Sequence, residues 1–141
     1  MRRLRISCLI IAIATPLITS YSTDSAVAAD STSEKWISPA PSAAKKNPIT
    51  PSPVSIGAGQ KIYLKTCAMC HGKTGDADGP AVIELNIHPA KLSDSDLAKQ
   101  SDGALFWKIT TGKKPMPAYG KRISETDRWN LVNYVRTLSK R

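Results

Sequence analysis

Aromatic residues are scarce: they make up 6% of the 141 residues, and only one is phenylalanine. Three cysteines are too few for a disulfide-dense scaffold. Acidic side chains number 11 against 20 Lys+Arg, which leaves a formal net charge of +9. That basic balance comes without an aromatic-basic platform, which argues against nucleic acid as a partner. No apolar run reaches the ~20 residues that cross a bilayer, so a multi-span membrane protein is excluded. No stretch of useful length alternates apolar with polar residues, so nothing predicts a sheet.

What is present begins with a targeting pattern. Arg2, Arg3 and Arg5 precede a short apolar run from Ile6 to Ile18, and small residues follow up to Ala28-Ala29-Asp30. This is the layout of a secretory signal peptide over residues 1–29, with cleavage after Ala28 or Ala29. The alternative is an uncleaved anchor, the one case in which the chain would be tied to a membrane. Cleavage predicts a soluble periplasmic or otherwise exported protein. Residues 30–55 follow, with Pro39, Pro41, Pro48, Pro51 and Pro53 set among Ser, Ala and Lys. They read as an extended, disordered tether with little to bury. Trp36 and Ile37 are its one bulky pair and are expected in solvent.

From residue 56 onward the pattern is helical. Residues 56–66 read as a helix with Ser55 as N-cap. Residues 72–91 read as loop, with a turn of helix near Ala81–Leu85, and residues 94–99 and 102–111 read as two more helices. Pro115 and Pro117 bracket Met116 and forbid helix there. Ser124 with Asp127 resembles a capping box, and Leu131, Tyr134, Val135 and Leu138 form one apolar stripe of a final helix. The expectation is an all-α domain over residues 56–141, made of short helices and long loops. Its apolar core is thin for an independent fold, which implies an added apolar mass in the middle.

Cys67-Ala68-Met69-Cys70-His71 is C-x-x-C-H, the attachment motif of c-type haem. Two thiols three positions apart on a helical turn can each add to one haem vinyl group. The adjacent His71 then presents its imidazole to the iron. The chain's own Cys and His frequencies give about 0.0009 chance matches. A zinc site from Cys67, Cys70, His71 and His88 is a rival, though adjacent Cys70-His71 suits one tetrahedron poorly. A thioredoxin-like dithiol is another, but it needs a βαβ setting. For the remaining axial position Met116 leads, because its proline bracket stiffens the loop and a thioether raises the reduction potential. His88 is the competing ligand.

These residues bring the segment from Ile56 to Leu138 to a family. It resembles a class I (His/Met) monohaem c-type cytochrome. Gly59, Tyr63 and CAMCHG match the first helix and haem site, Pro89-Ala90-Lys91-Leu92 a P-A-x-L stretch, Gly112 to Ala118 a G-x-x-x-M-P ligand loop, and Trp129, Leu131 and Tyr134 the last helix. The resemblance implies one covalent haem c on Cys67 and Cys70, with His71 proximal and Met116 distal. It also implies that the Pro80 carbonyl accepts the His71 N–H, and that Gly59 and Tyr134 meet where the first and last helices cross. Leu85, Leu92, Trp107 and Leu131 are expected against the haem, together with Leu105, Phe106, Ile109 and Val135 as pocket or core.

A haem with both axial positions filled exchanges electrons and has no room for a substrate. The leading expectation is an exported one-electron carrier without its own turnover, monomeric in isolation, running between a respiratory or dehydrogenase donor and a terminal oxidase or reductase. A cytochrome subunit of one periplasmic oxidoreductase complex is the second. An open-site haem enzyme or gas sensor is the third, and it requires that Met116 does not bind. Lys73, Lys113, Lys114, Lys121 and Arg122 would steer the haem edge to redox proteins with acidic docking surfaces.

Overall fold

The structure, a computed structural model, describes residues 36–139. The signal segment 1–29 and the first tether residues lie outside the described residues. Seven helices follow in order among the described residues: α1 (Ala40–Ala43), α2 (Pro53–Thr66), α3 (Ala68–His71), α4 (Ala81–Glu84), α5 (Ser95–Ala98), α6 (Asp102–Thr111) and α7 (Glu125–Leu138). The fold is all-α; among the described residues the one bridge is an isolated pair, Lys113 with Met116.

α2 starts earlier than expected. Pro53 takes the first helical position, where its missing N–H costs nothing. Ser52 is the N-cap, and Ser55 returns its hydroxyl to the Ser52 backbone N–H, so a capping box sits one turn upstream. α7 begins as expected: the Asp127 N–H donates to Ser124 Oγ at 3.1 Å, and the Ser124 hydroxyl donates to the Asp127 carboxylate at 2.8 Å.

The core is the crossing of α2 and α7. Tyr63, Leu131, Val132 and Leu138 are fully buried there. Tyr63 and Tyr134 lie 5.1 Å apart in a tilted pair, and the Tyr63 hydroxyl donates to Gly72 O at 2.7 Å. α6 covers a second side of α7, with Phe106 stacked on Trp129 at 3.9 Å. Buried Arg128 sits 4.7 Å over the Phe106 ring and donates to Ile123 O and Thr110 Oγ1, tying α7 to α6 and to the loop between them. The crossing is close because Gly59 has no side chain. A Cβ there would collide with the Asn130 carbonyl oxygen and lie 2.6 Å from its carbon and 2.9 Å from Tyr134 Cβ.

Residues 36–55 depart from the expected tether. Their backbone finds its partners on the domain. Asn47 Nδ2 donates to Asn133 Oδ1 at 2.8 Å and to Trp129 O, Asn133 Nδ2 donates to Ile49 O at 3.1 Å, and Ser101 Oγ donates to Ala43 O at 2.6 Å. Ile49 packs against the core. Gly103 lets the chain close on α6: a Cβ there would lie 2.6 Å from Lys45 O and 2.9 Å from Ala43 O. The prolines that suggested disorder also shrink the conformations the unfolded segment can explore, so few contacts suffice to order it.

Gly59→Ala should destabilise the domain by about 3 kcal/mol or more, since backbone cannot yield as a side chain does. Gly57→Ala lies two residues away on the same helix, where an added Cβ meets nothing within 4 Å. It should be neutral or stabilise by about 0.5–1 kcal/mol. Denaturant unfolding of both variants checks the pair.

Candidate functional site

α2 ends at Thr66, and the chain turns at Cys67 into the single turn α3. The Cys70 and His71 N–H groups both donate to Cys67 O, at 3.1 and 3.0 Å. This one turn sets the two thiols and the imidazole side by side. Gly72 (φ +78) then turns the chain away, and Gly79 lets the following loop return against Met69 O, where a Cβ would not fit.

The His71 ring is held by a backbone carbonyl. His71 Nδ1 lies 2.9 Å from Ala90 O. A carbonyl only accepts, so Nδ1 carries the proton and Nε2 keeps its lone pair for a metal. Burial holds the imidazole below its usual value, and the bond to Ala90 partly offsets this. Burial thus favours the neutral ring, the form a ligand takes.

The expected acceptor was Pro80, and the structure replaces it with Ala90. Pro80 has helical backbone (φ −58°, ψ −31°) at the start of α4, so its carbonyl points along that helix. Ala90 belongs to a segment clamped beside His71: the Leu92 and Ser93 N–H groups both donate to Gly75 O, at 2.6 and 3.2 Å. Asp76 locks the clamp by accepting from Ser93 Oγ at 2.6 Å and from Thr74 Oγ1 at 2.7 Å, with Lys91 Nζ at 3.7 Å.

Met116 arrives on a second rigid loop. The Lys113 N–H donates to Met116 O at 3.1 Å and the Met116 N–H to Lys113 O at 2.8 Å, closing a tight turn over Lys114-Pro115. Gly112 (φ +63) ends α6, and Pro117 packs over its bare Cα. The Tyr119 and Gly120 N–H groups donate back to Ile109 O and Thr110 O, at 3.1 and 3.0 Å. The loop is thus pinned at both ends to α6.

Cys67, Cys70, His71 and Met116 all line one mostly apolar cavity, with Thr66, Ile87, Tyr119 and Trp36 among its other walls. The cavity volume is about 210 Å³, and the space opens to solvent at one side. Burial and the neighbouring Cys70 push the Cys67 thiol up to about 12, so it stays protonated in this apolar wall. Two thiols, a neutral imidazole and a thioether facing one apolar space fit a haem. A zinc site fits less well: no group of three His, Cys, Asp or Glu converges on a metal position among the described residues.

Several expected contacts fall elsewhere. Leu85 is 60% exposed, because α4 is a single turn that buries only Ala81 and ends before Leu85. Leu131 is fully buried in the α2–α7 core and does not line the cavity. Leu92 packs on the core edge against Gly75. Trp107 lies outside the cavity and meets Trp36 at 6.1 Å. Lys113 and Lys114 stand at the cavity rim. Arg122 lines an adjoining groove that also holds Lys61 and Lys65, two cations the sequence pattern did not single out. Lys73 and Lys121 are exposed on loops. Trp36, Ile87, Ala90 and Tyr119 were missed as site residues. The P-A-x-L stretch was the one available signal, and it pointed at Ala90 without giving its role.

The bonds from Ser93 and Thr74 hold the Asp76 carboxyl below its ordinary value. A depressed folded value stabilises the clamp above the unfolded value of 3.8 and loses that contribution as pH falls through the folded value. Asp76→Asn should therefore lower stability at neutral pH and flatten its pH dependence below about pH 4, as read by thermal unfolding across pH.

The comparisons agree with this geometry. Residues 55–135 match the family described as cytochrome c oxidase, cbb3-type, subunit III. Cytochrome c6 of Alaria esculenta is 34% identical over 88 residues, covering 61% of this chain and 94% of that protein. Cytochrome c6 of a Synechococcus strain is 31% identical over 80 residues, covering 57% and 67%. Among solved structures, a chain of the reducing HAO-like protein complex of Kuenenia stuttgartiensis superposes with a TM-score of 0.55 at 33% identity. The match covers 64% of this chain and 46% of that one, so the likeness spans less than half of the larger chain. The chain therefore belongs to the cytochrome c family, through the domain named for subunit III of cbb3-type cytochrome c oxidase, and is a small all-α electron carrier with one covalently attached haem c.

Proposed function

We propose that the protein is an exported one-electron carrier with His71 and Met116 as axial ligands and Cys67 and Cys70 as thioether anchors. The observation that carries this reading is the convergence of those four side chains on one cavity. Cys67 and Cys70 would hold the haem covalently through their thiols. Haem bound there supplies a single-electron iron couple. The chain does the rest. The Ala90 carbonyl orients the His71 ring and strengthens it as a donor. The pinned loop holds the Met116 thioether, which favours the reduced metal. The apolar walls exclude water, which disfavours the more charged oxidised state.

His71 and Met116 together would hold the metal and leave no position on it for a small substrate. Export rests on the basic-apolar-small pattern of residues 1–29, whose cut would release the rest of the chain. No helix among the described residues is long and apolar enough to cross a membrane.

Partners are redox proteins. Lys113 and Lys114 at the cavity rim, with Arg122, Lys121 and Lys73, support docking against an acidic surface. A second reading, a subunit of one dedicated oxidoreductase complex, is favoured by one observation: the similar solved chain comes from a reducing HAO-like protein complex. Isolation of the native protein distinguishes the two. A carrier elutes alone, whereas a subunit elutes with stoichiometric partners at moderate salt.

Met116→Ala should lower the reduction potential by a sizeable fraction of the ~0.8 V that axial ligands span. It should also abolish the weak far-red iron–thioether band and make the reduced protein bind carbon monoxide. If the parent protein already binds carbon monoxide, the sixth position is open and an enzyme or sensor replaces the carrier. Charge reversal at Lys113 and Lys114 should slow oxidation of the reduced protein by ferricyanide roughly tenfold at low salt and speed oxidation by a cationic cobalt complex. Stopped-flow rates at two ionic strengths check this.

A further inference from the structure

The family match begins at residue 55, and the cytochrome c6 relatives cover about three fifths of the chain. Residues 36–52 lie outside that match. They nevertheless form part of the haem cavity, because Trp36 is one of its lining residues. We propose that residues 36–52 are a strap that completes the haem site, and that the Trp36 indole is the wall which shields one edge of the haem from water and from external ligands. The proposal rests on the haem reading above.

The strap has the fastenings such a role needs. Asn47 and Asn133 exchange places as donor and acceptor at its C-terminal end: Asn47 Nδ2 donates to Asn133 Oδ1, and Asn133 Nδ2 donates to Ile49 O. Ser101, the N-cap of α6, spends its hydroxyl hydrogen on Ala43 O while its oxygen accepts from the Ala104 N–H. Gly103 leaves room for the strap backbone between these points. α1 then leads back along α6, and Trp36 ends the run half-buried.

The ring itself is positioned by two consecutive residues of α6. Trp107 meets it at 6.1 Å with the planes tilted by 56°, and Lys108 Nζ lies 5.4 Å from its centroid while donating to Gln100 Oε1 at 2.6 Å. An aromatic face and a cation hold an indole in one orientation better than apolar contact alone. Its neighbour Ile37 is 71% exposed, so the strap turns one side chain to the cavity and the other to solvent. Nothing in the electron-carrier chemistry requires the segment to be there. A large apolar ring at the cavity wall does have a consequence: it lowers the local polarity around the metal and so raises the potential.

The test uses the full chain with haem attached. Trp36→Ala should lower the reduction potential and speed imidazole binding to the oxidised protein several-fold, with the far-red iron–thioether band retained. Trp36→Phe should restore most of both, since a smaller aromatic ring still closes the wall. Ile37→Ala should change neither. Asn47→Ala keeps the ring and loosens its fastening; it should move both readouts the same way by less, and it decides the matter if Trp36→Ala does not accumulate. Covalent haem content, read by haem stain after denaturation, separates the two levels. Haem present with potential and imidazole kinetics unmoved in both Trp36→Ala and Asn47→Ala overturns the strap alone. Absence of covalent haem from the parent protein overturns the haem reading and the strap with it.

Discussion

The structure depends on one close approach, the backbone of α2 against the backbone of α7 at Gly59 and Asn130. At that distance Tyr63 and Tyr134 meet, and the apolar side chains along α7 find a surface to cover. The crossing also fixes where α2 ends. Because α3 follows after Cys67, the attachment turn is carried on the core itself and not on a free loop. Moving the two helices apart by the width of a methyl group would shift the thiols and the imidazole together, away from the Met116 loop that α6 supports.

Around that crossing the site is assembled from loops that have little regular structure and many backbone bonds. The proximal side is a clamp: Gly75 O accepts from two successive N–H groups, Asp76 ties the two loops by its side chain, and Ala90 O meets His71. The distal side is a pinned turn on α6. Both solve the same problem. A side chain that must meet a cofactor at one point needs a fixed backbone beneath it, and a backbone held at both ends supplies that. Apolar walls converge on the cavity beside the cluster of side chains at the α2–α7 crossing.

The attachment motif, the non-helical loop around Met116, the glycine of the crossing and the last helix were legible in the sequence because each is local or carries a rigid chemical requirement. Cys67, Cys70 and His71 must be neighbours on one turn. Pro115 and Pro117, two residues apart, cannot both stand in the interior of a helix. The stripe on α7 repeats with the helix period. Pro80 and Leu85 were misplaced for the opposite reason. Whether a carbonyl or an isobutyl group faces the cavity depends on where a one-turn helix starts and stops, and α4 starts at Ala81 and ends before Leu85. The proline-rich segment was misjudged because its partners, Asn133, Trp129 and Ser101, lie far along the chain and advertise nothing in the segment's own composition.

The sequence by itself determined the cofactor class and the all-α character, because covalent spacing and helix periodicity are properties of short stretches. Tertiary structure alone decided which carbonyl orients His71, which cations gather beside the haem mouth, and that Trp36 stands in its wall. Those are outcomes of packing, where residues separated by most of the chain are brought together by a shared need to bury surface and to satisfy backbone polar groups.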